Sequence, residues 1–159
     1  MAPTGHARPW RTTTTVTAPA GGLVDLARDV YDQVMDIIGI GLDATEIPRV
    51  AATMARYGDR FLRRVFTEAE VAYCQAHRHA AQHFAARFAV KEAAMKALGT
   101  GHSLGVLWRD VEVVRHGGPP QLQLHGAANR RFATLGGRSS VVTITHTDTL
   151  AMAQVILLR

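Results

Sequence analysis

The sequence predicts a domain of the α+β class. Two observations carry this. One alanine-rich segment, Ala80–Leu98, has no internal glycine or proline and stops at Gly99. Around it lie short apolar strands, most of them joined by turns of hairpin length rather than by helical crossovers. The length of 159 residues fits one domain with a real core, and 47% of the residues are hydrophobic with 19% charged. No apolar stretch reaches the roughly 18 residues needed to cross a bilayer.

The elements follow in order. Residues 1–35 read as an N-terminal extension. Its first part holds Pro3, Gly5, Pro9, Pro19 and the Thr12–Thr15 run, and predicts a disordered tail. Arg8 and Arg11 give it a faint resemblance to a transit peptide, without the apolar centre of a secretory signal. Residues 22–35 carry Leu23, Leu26, Ala27, Val30 and Val34 at helical spacing, with Asp25, Asp29 and Asp32 on the other side. Met35 is an alternative start. The domain proper is assigned to 36–159.

Ile37–Leu42 is a short apolar run, expected to be a strand buried on both faces. Gly39 and Gly41 within it predict close approach of another backbone. Residues 46–64 read as helical, with an irregularity at Gly58-Asp59. Thr67-Glu68-Ala69-Glu70 is a capping-box pattern opening a helix to about His77. Val111–Val114 and Gln121–Leu124 flank Gly117-Gly118-Pro119-Pro120 as a hairpin. A helix at 127–135 ends at Gly136-Gly137. Val141–Thr145 and Leu150–Leu158 close the chain as two strands around Thr147-Asp148-Thr149.

A formal charge of +5 favours an anionic partner, whether nucleic acid, a phosphorylated small molecule or an acidic protein. Cys74 is the single cysteine, which excludes an intrachain disulfide and fits a reducing compartment. The chemistry concentrates on the long helix. Phe84, Phe88, Glu92 and Lys96 are spaced by four and form one inclined row, apolar at first and then acid and base. A plain surface pair of Glu92 with Lys96 satisfies that spacing. Asp43 follows an apolar strand, where it serves either a site or the start of the next helix. Should Asp43 and Glu92 meet, a hard divalent cation would turn their repulsion into attraction. Mg²⁺ suits such a pair, taking one or two carboxylates with phosphate oxygens and water, and Mn²⁺ is a substitute. Lys96 and the turn Gly99-Thr100-Gly101 either approach a phosphate or simply stop the helix. His146, at a strand end, is a phosphate or proton contact or a structural histidine. Arg49, Arg56, Arg60 and Arg64 share one face if their helix is continuous, and few acids balance them.

In order, these residues resemble the holo-acyl-carrier-protein synthase family of small 4′-phosphopantetheinyl transferases. Ile38–Ile47 is similar to its N-terminal motif and Arg87–Gly101 to its central one. Trp108–Val113 and Ile144–Thr147 are similar to two later segments. The resemblance implies a homotrimer with sites at subunit interfaces and a cytoplasmic enzyme. It implies transfer of 4′-phosphopantetheine from coenzyme A to a serine of an apo acyl carrier protein, releasing adenosine 3′,5′-bisphosphate. Fatty-acid and polyketide carriers both stay open.

By the same resemblance Asp43 and Glu92 are the metal ligands and act with Lys96 in catalysis. Arg87, Lys96, Gly99, Thr100, Gly101 and His146 hold coenzyme A, and Arg49, Arg56, Arg60 and Arg64 dock the carrier. Glu92 or a water takes the serine proton. His102 departs from the pattern, which calls for something more apolar there. The rival readings are a catalytically silent carrier-protein binder and a basic nucleic-acid-binding domain. The second leaves Asp43, Glu92 and the glycine turn without a role, and the sequence has no recognition motif or aromatic stacking platform, so neither a nucleic acid nor a membrane is an expected partner.

Overall fold

A computed structural model describes residues 36–159, so the expectations for 1–35 lie outside the described residues. The first strand, β1, runs Ile37–Glu46, four residues further than its apolar run. It is the edge of a three-stranded antiparallel sheet of order β1-β5-β4, with β4 at Ser139–His146 and β5 at Leu150–Leu158. Asp43 is therefore a mid-strand residue, paired in register with Ala153, and does not cap the following helix. A hairpin of β2 (Val111–Val114) and β3 (Gln121–Leu124) makes a second, two-stranded sheet. The helices are α1 (Ile47–Val65), α2 (Glu68–Gln75), α3 (Ala80–Ala97) and α4 (Gly126–Thr134).

Helix α3 lies across one face of the sheet, and small residues let it come close. A Cβ at Gly39 would overlap the Ala97 carbonyl, and one at Gly41 the Ala93 carbonyl. Ala85, Ala89 and Ala93 on α3 are fully buried, as are Ala151 and Val155 on β5. The close seat is what carries Glu92 and Lys96 over to β1.

The other face of the sheet corrects the expectation of a strand buried on both sides. Ile37, Ile40 and Leu42 are 57, 56 and 54% exposed, and Val141 on β4 is 46% exposed. A row of apolar side chains in one chain's sequence signals burial without saying what supplies it.

Helix α1 is also not the continuous cylinder that the arginine spacing assumed. Gly58 has φ 50 and ψ −135, a conformation outside the helix that glycine adopts without a Cβ penalty. The kink separates Arg49 and Arg56 from Arg60 and Arg64. All four remain exposed, but they do not follow a single helical face.

The capping box at α2 is present as predicted. Thr67 Oγ1 accepts from the Glu70 N–H at 3.2 Å, and the Thr67 N–H donates to Glu70 Oε2 at 2.9 Å. The same Glu70 enters an ion pair that the sequence did not announce. Lys91 Nζ lies 2.8 Å from Glu70 Oε2, with the two side chains 0 and 1% exposed. Lys91 also donates to the carbonyls of Trp108 and Val111, and Glu70 Oε1 accepts from the Val113 N–H at 3.0 Å. Every polar atom of the pair is thus satisfied, which joins α2, α3 and the hairpin through one buried network.

Candidate active site

Three sequence elements meet beside α3. Asp43 and Glu92 line one cavity of about 480 Å³, together with Arg49, Thr53, Phe61 and Phe88. The four-residue row along α3 behaves as its composition implies. Phe84 is buried, Phe88 and Glu92 are half-buried at the cavity wall, and Lys96 reaches solvent. Lys96 does not pair with Glu92 as a simple surface pair. Its Nζ bridges to β1, 2.8 Å from Asp43 Oδ1 and 2.9 Å from the Leu42 carbonyl. Thr45 Oγ1 donates to the other oxygen, Asp43 Oδ2, at 2.8 Å, because residues two apart on a strand share a face. Asp43 is thereby fixed in orientation while keeping a lone pair on each oxygen.

Glu92 is held more loosely. Its Oε1 lies 3.3 Å from His102 Nε2, and the His102 ring packs 4.3 Å from that of Trp108, which in turn stacks on Phe88 at 4.7 Å. His102 therefore has a contact that explains its polarity. Ten residues of sequence separation hid it, since only the turn after α3 brings the ring back to the helix.

The turn after α3 has a defined backbone arrangement. Gly99 and Gly101 have φ 67 and 51, and the N–H groups of Gly99, Thr100 and Gly101 bond to the carbonyls of Lys96 and Met95. They cap the end of α3, and Thr100 is buried, its hydroxyl bonded to the Gly101 and Met95 carbonyls.

Arg87 and His146 lie away from this cavity. Arg87 is only 5% exposed, and its guanidinium carbon sits 4.0 Å over the Tyr73 ring. His146, the last residue of β4, bonds through Nδ1 to Gln82 Nε2 at 2.6 Å. Cys74 is inert: burial pushes its thiol up to about 12, against the pull of Arg87.

The donor set fits a small oxygen-seeking cation. Among the described residues no three histidine, cysteine or acidic side chains gather as a metal cluster. Two carboxylates on one cavity leave the remaining positions to water and phosphate oxygens, which suits Mg²⁺ better than a tetrahedral Zn²⁺.

The family model of the 4′-phosphopantetheinyl transferase superfamily matches residues 39–148. The holo-[acyl-carrier-protein] synthase of Koribacter versatilis is 51% identical over 122 residues, covering 76% of this chain and 98% of that protein. The synthase of Methylobacterium radiotolerans is 48% identical over 121 residues, 74% of this chain and 89% of that protein. Among solved structures, the Bacillus anthracis holo-(acyl-carrier-protein) synthase in complex with CoA (3′,5′-ADP) superposes with a TM-score of 0.64 at 31% identity, covering 79% of this chain and 98% of that one. The Neisseria meningitidis enzyme gives a TM-score of 0.72 at 25% identity, covering 78% and 100%. The chain belongs to the 4′-phosphopantetheinyl transferase superfamily, as an enzyme of the holo-acyl-carrier-protein synthase type.

Proposed function

We propose that the chain transfers 4′-phosphopantetheine from coenzyme A to a serine of an apo acyl carrier protein, with Asp43, Glu92 and Lys96 as its catalytic centre. The observation that carries this is the shared cavity of Asp43 and Glu92, with the Lys96 ammonium 2.8 Å from Asp43. The serine hydroxyl attacks the β-phosphate, a P–O bond forms, and the bond to the 3′,5′-bisphosphate breaks. Asp43 and Glu92 would hold Mg²⁺, which when bound neutralises charge on the pyrophosphate. Lys96 adds a fixed positive charge beside the leaving group. Glu92 or a water in the cavity accepts the serine proton.

Coenzyme A also meets Arg87 and His146 in this reading, and geometry favours a site shared between copies. Arg87 precedes Glu92 by five positions on α3, and about 100° for each sets the two about 140° apart around the helix. A single ligand reaches both sides most simply when one copy supplies Asp43, Glu92 and Lys96 and a neighbour supplies Arg87 and His146. The exposed apolar face of β1 and β4 supports such an assembly, and the family resemblance favours a homotrimer. Arg49, Arg56, Arg60 and Arg64 dock the acidic carrier, Arg49 from the rim of the catalytic cavity itself.

The test is chromatographic release of adenosine 3′,5′-bisphosphate. It is expected only when the chain, coenzyme A, Mg²⁺ and apo carrier are all present. Release without carrier would make the chain a hydrolase. No release with several folded carriers would leave the silent carrier-binding reading in its place. Mixing inactive Glu92→Ala and Arg87→Ala proteins is expected to restore part of the activity. No recovery in assemblies shown to contain both proteins would count against the shared site.

A further inference from the structure

The two carboxylates of the catalytic cavity are held unequally. Asp43 takes one donor on each oxygen, Lys96 Nζ on Oδ1 and Thr45 Oγ1 on Oδ2, both at 2.8 Å. Among the described residues Glu92 has one side-chain partner, His102, whose Nε2 lies 3.3 Å from Glu92 Oε1. His102 is also where the chain departs from the family pattern, which calls for an apolar side chain at that position.

The fold fixes both the backbone and the ring of His102. Its backbone sits in a tight turn that the Ser103 N–H closes on the Thr100 carbonyl at 3.0 Å, with Gly101 at φ 51 supplying the reversal. Val106, four residues on, is buried in the core and pins the returning loop. The His102 ring lies 4.3 Å from that of Trp108, and Trp108 stacks on Phe88 at 4.7 Å. The Trp108 carbonyl accepts from Lys91 Nζ at 3.1 Å, so the buried Lys91–Glu70 pair anchors the segment on which His102 rests. Phe88 and Glu92 are one helical turn apart on α3. Phe88, Trp108, His102 and Glu92 therefore form a closed ring of four side chains. Packing on Trp108 asks only for an apolar group. What the imidazole adds is a nitrogen aimed at Glu92.

We propose that His102 is a positioning residue for Glu92. In the tautomer with its proton on Nε2, the ring donates to Glu92 Oε1 and holds the carboxylate in one orientation, with Oε2 left to a divalent cation. This rests on the reading of Asp43 and Glu92 as the metal pair, and adds to it a residue that acts only through Glu92. Asp43 is set by two donors on a strand and needs no further help. Glu92 stands on a helix surface with three rotatable bonds, and a carboxylate that must be ordered on binding holds a cation less tightly than one already ordered. Outer partners of metal ligands commonly account for about 10- to 100-fold in metal affinity. The His102 ring is 52% exposed and its contact is long at 3.3 Å, which places it at the lower end of that range.

The experiment measures Mn²⁺ binding to the full chain, with coenzyme A present and no carrier, from the electron paramagnetic resonance signal of the free aqueous ion. His102→Leu is expected to weaken binding about tenfold at an unchanged unfolding midpoint. His102→Gln keeps an N–H donor of similar reach and is expected to bring binding back to within about threefold of the unaltered chain. In turnover with apo carrier, the Mg²⁺ concentration giving half-maximal rate is expected to rise in His102→Leu by the same factor, while KM for the carrier moves by less than about twofold. Unchanged or tighter Mn²⁺ binding in folded His102→Leu would overturn the proposal. So would a His102→Gln protein as weak as His102→Leu, since packing rather than the donor would then be at work. A raised KM for the carrier with unaltered Mn²⁺ binding would make His102 a docking residue instead. Glu92→Ala separates the two assignments. If it abolishes Mn²⁺ binding while His102→Leu does not alter it, only the positioning role fails. If Glu92→Ala binds Mn²⁺ as the unaltered chain does, the assignment of Glu92 to the metal fails with it.

Discussion

Two lysines on one helix, five positions apart, each sit 2.8 Å from a carboxylate oxygen, and they do opposite things. Lys91 and Glu70 are sealed in the core at 0 and 1% exposure, while Lys96 and Asp43 stand at the mouth of a cavity at 49 and 15%. Burial pulls the Lys91 ammonium down from its usual value, and Glu70 acts in the other direction to keep it charged. All three Lys91 donors are taken by Glu70 and two backbone carbonyls, so this pair has nothing left for a ligand. The Lys96 pair is half in water, and each Asp43 oxygen keeps accepting capacity. Equal distances thus separate into a structural joint and a candidate site according to solvent and satisfied valence.

Breaking each pair measures that difference. Lys91→Met leaves the Glu70 carboxylate buried without its cation, and is expected to lower unfolding free energy by about 3–5 kcal/mol. Lys96→Met is expected to change it by no more than about 1 kcal/mol, as exposed pairs do. Urea unfolding of both proteins reads the contrast directly. Adding Glu70→Met to Lys91→Met should recover part of the loss, since no buried charge is then left unpaired. Equal losses from the two single variants would erase the distinction.

A smaller effect is expected on the exposed arginines of α1. Charge reversal of Arg60 and Arg64 should raise KM for the carrier about tenfold while KM for coenzyme A stays within about twofold, the difference shrinking as salt screens the attraction. Similar changes in both constants would place these residues outside docking.

The smallest effect concerns pH and the hairpin. Burial of Glu112 raises its pKa, but hydrogen bonds from Thr67 Oγ1 at 2.7 Å and His125 Nε2 at 2.8 Å outweigh that and hold it below its ordinary value. A carboxyl lowered in the folded state contributes stability above its unfolded pKa and loses it as pH falls through the folded one. Glu112→Gln should therefore flatten the acid limb of the stability curve and leave the neutral region within about 1 kcal/mol, since the group is still partly hydrated. An unchanged acid limb would contradict this assignment.

Much of this arrangement was legible in the residues. Helix α3 announced itself by alanine content and its glycine stop, Gly39 and Gly41 by interrupting an apolar run, and the hairpin by Gly117–Pro120. The row from Phe84 to Lys96 correctly foretold a helix passing from core to surface. What the sequence hid is non-local. Nothing within twenty residues of Lys91 points to Glu70, and Thr45 becomes a partner of Asp43 only because β1 continues past its apolar run. The kink at Gly58 appeared in the sequence merely as an irregularity, so the arginine spacing overstated a common face. The turn at Gly99–Gly101 had two readings that spacing could not separate, and its bonds to carbonyls on α3 show the helix-ending part of its role.

The central claim is that Glu92, next in sequence to the buried Lys91, belongs to the catalytic centre rather than to the fold. It is tested by the intact mass of an apo acyl carrier protein after incubation with coenzyme A, Mg²⁺ and either the unaltered chain or Glu92→Ala, beside an EDTA control. The carrier is expected to gain one phosphopantetheine with the unaltered chain, and none with EDTA or with a Glu92→Ala protein of unchanged unfolding midpoint. A full mass gain with folded Glu92→Ala would contradict the assignment of the site.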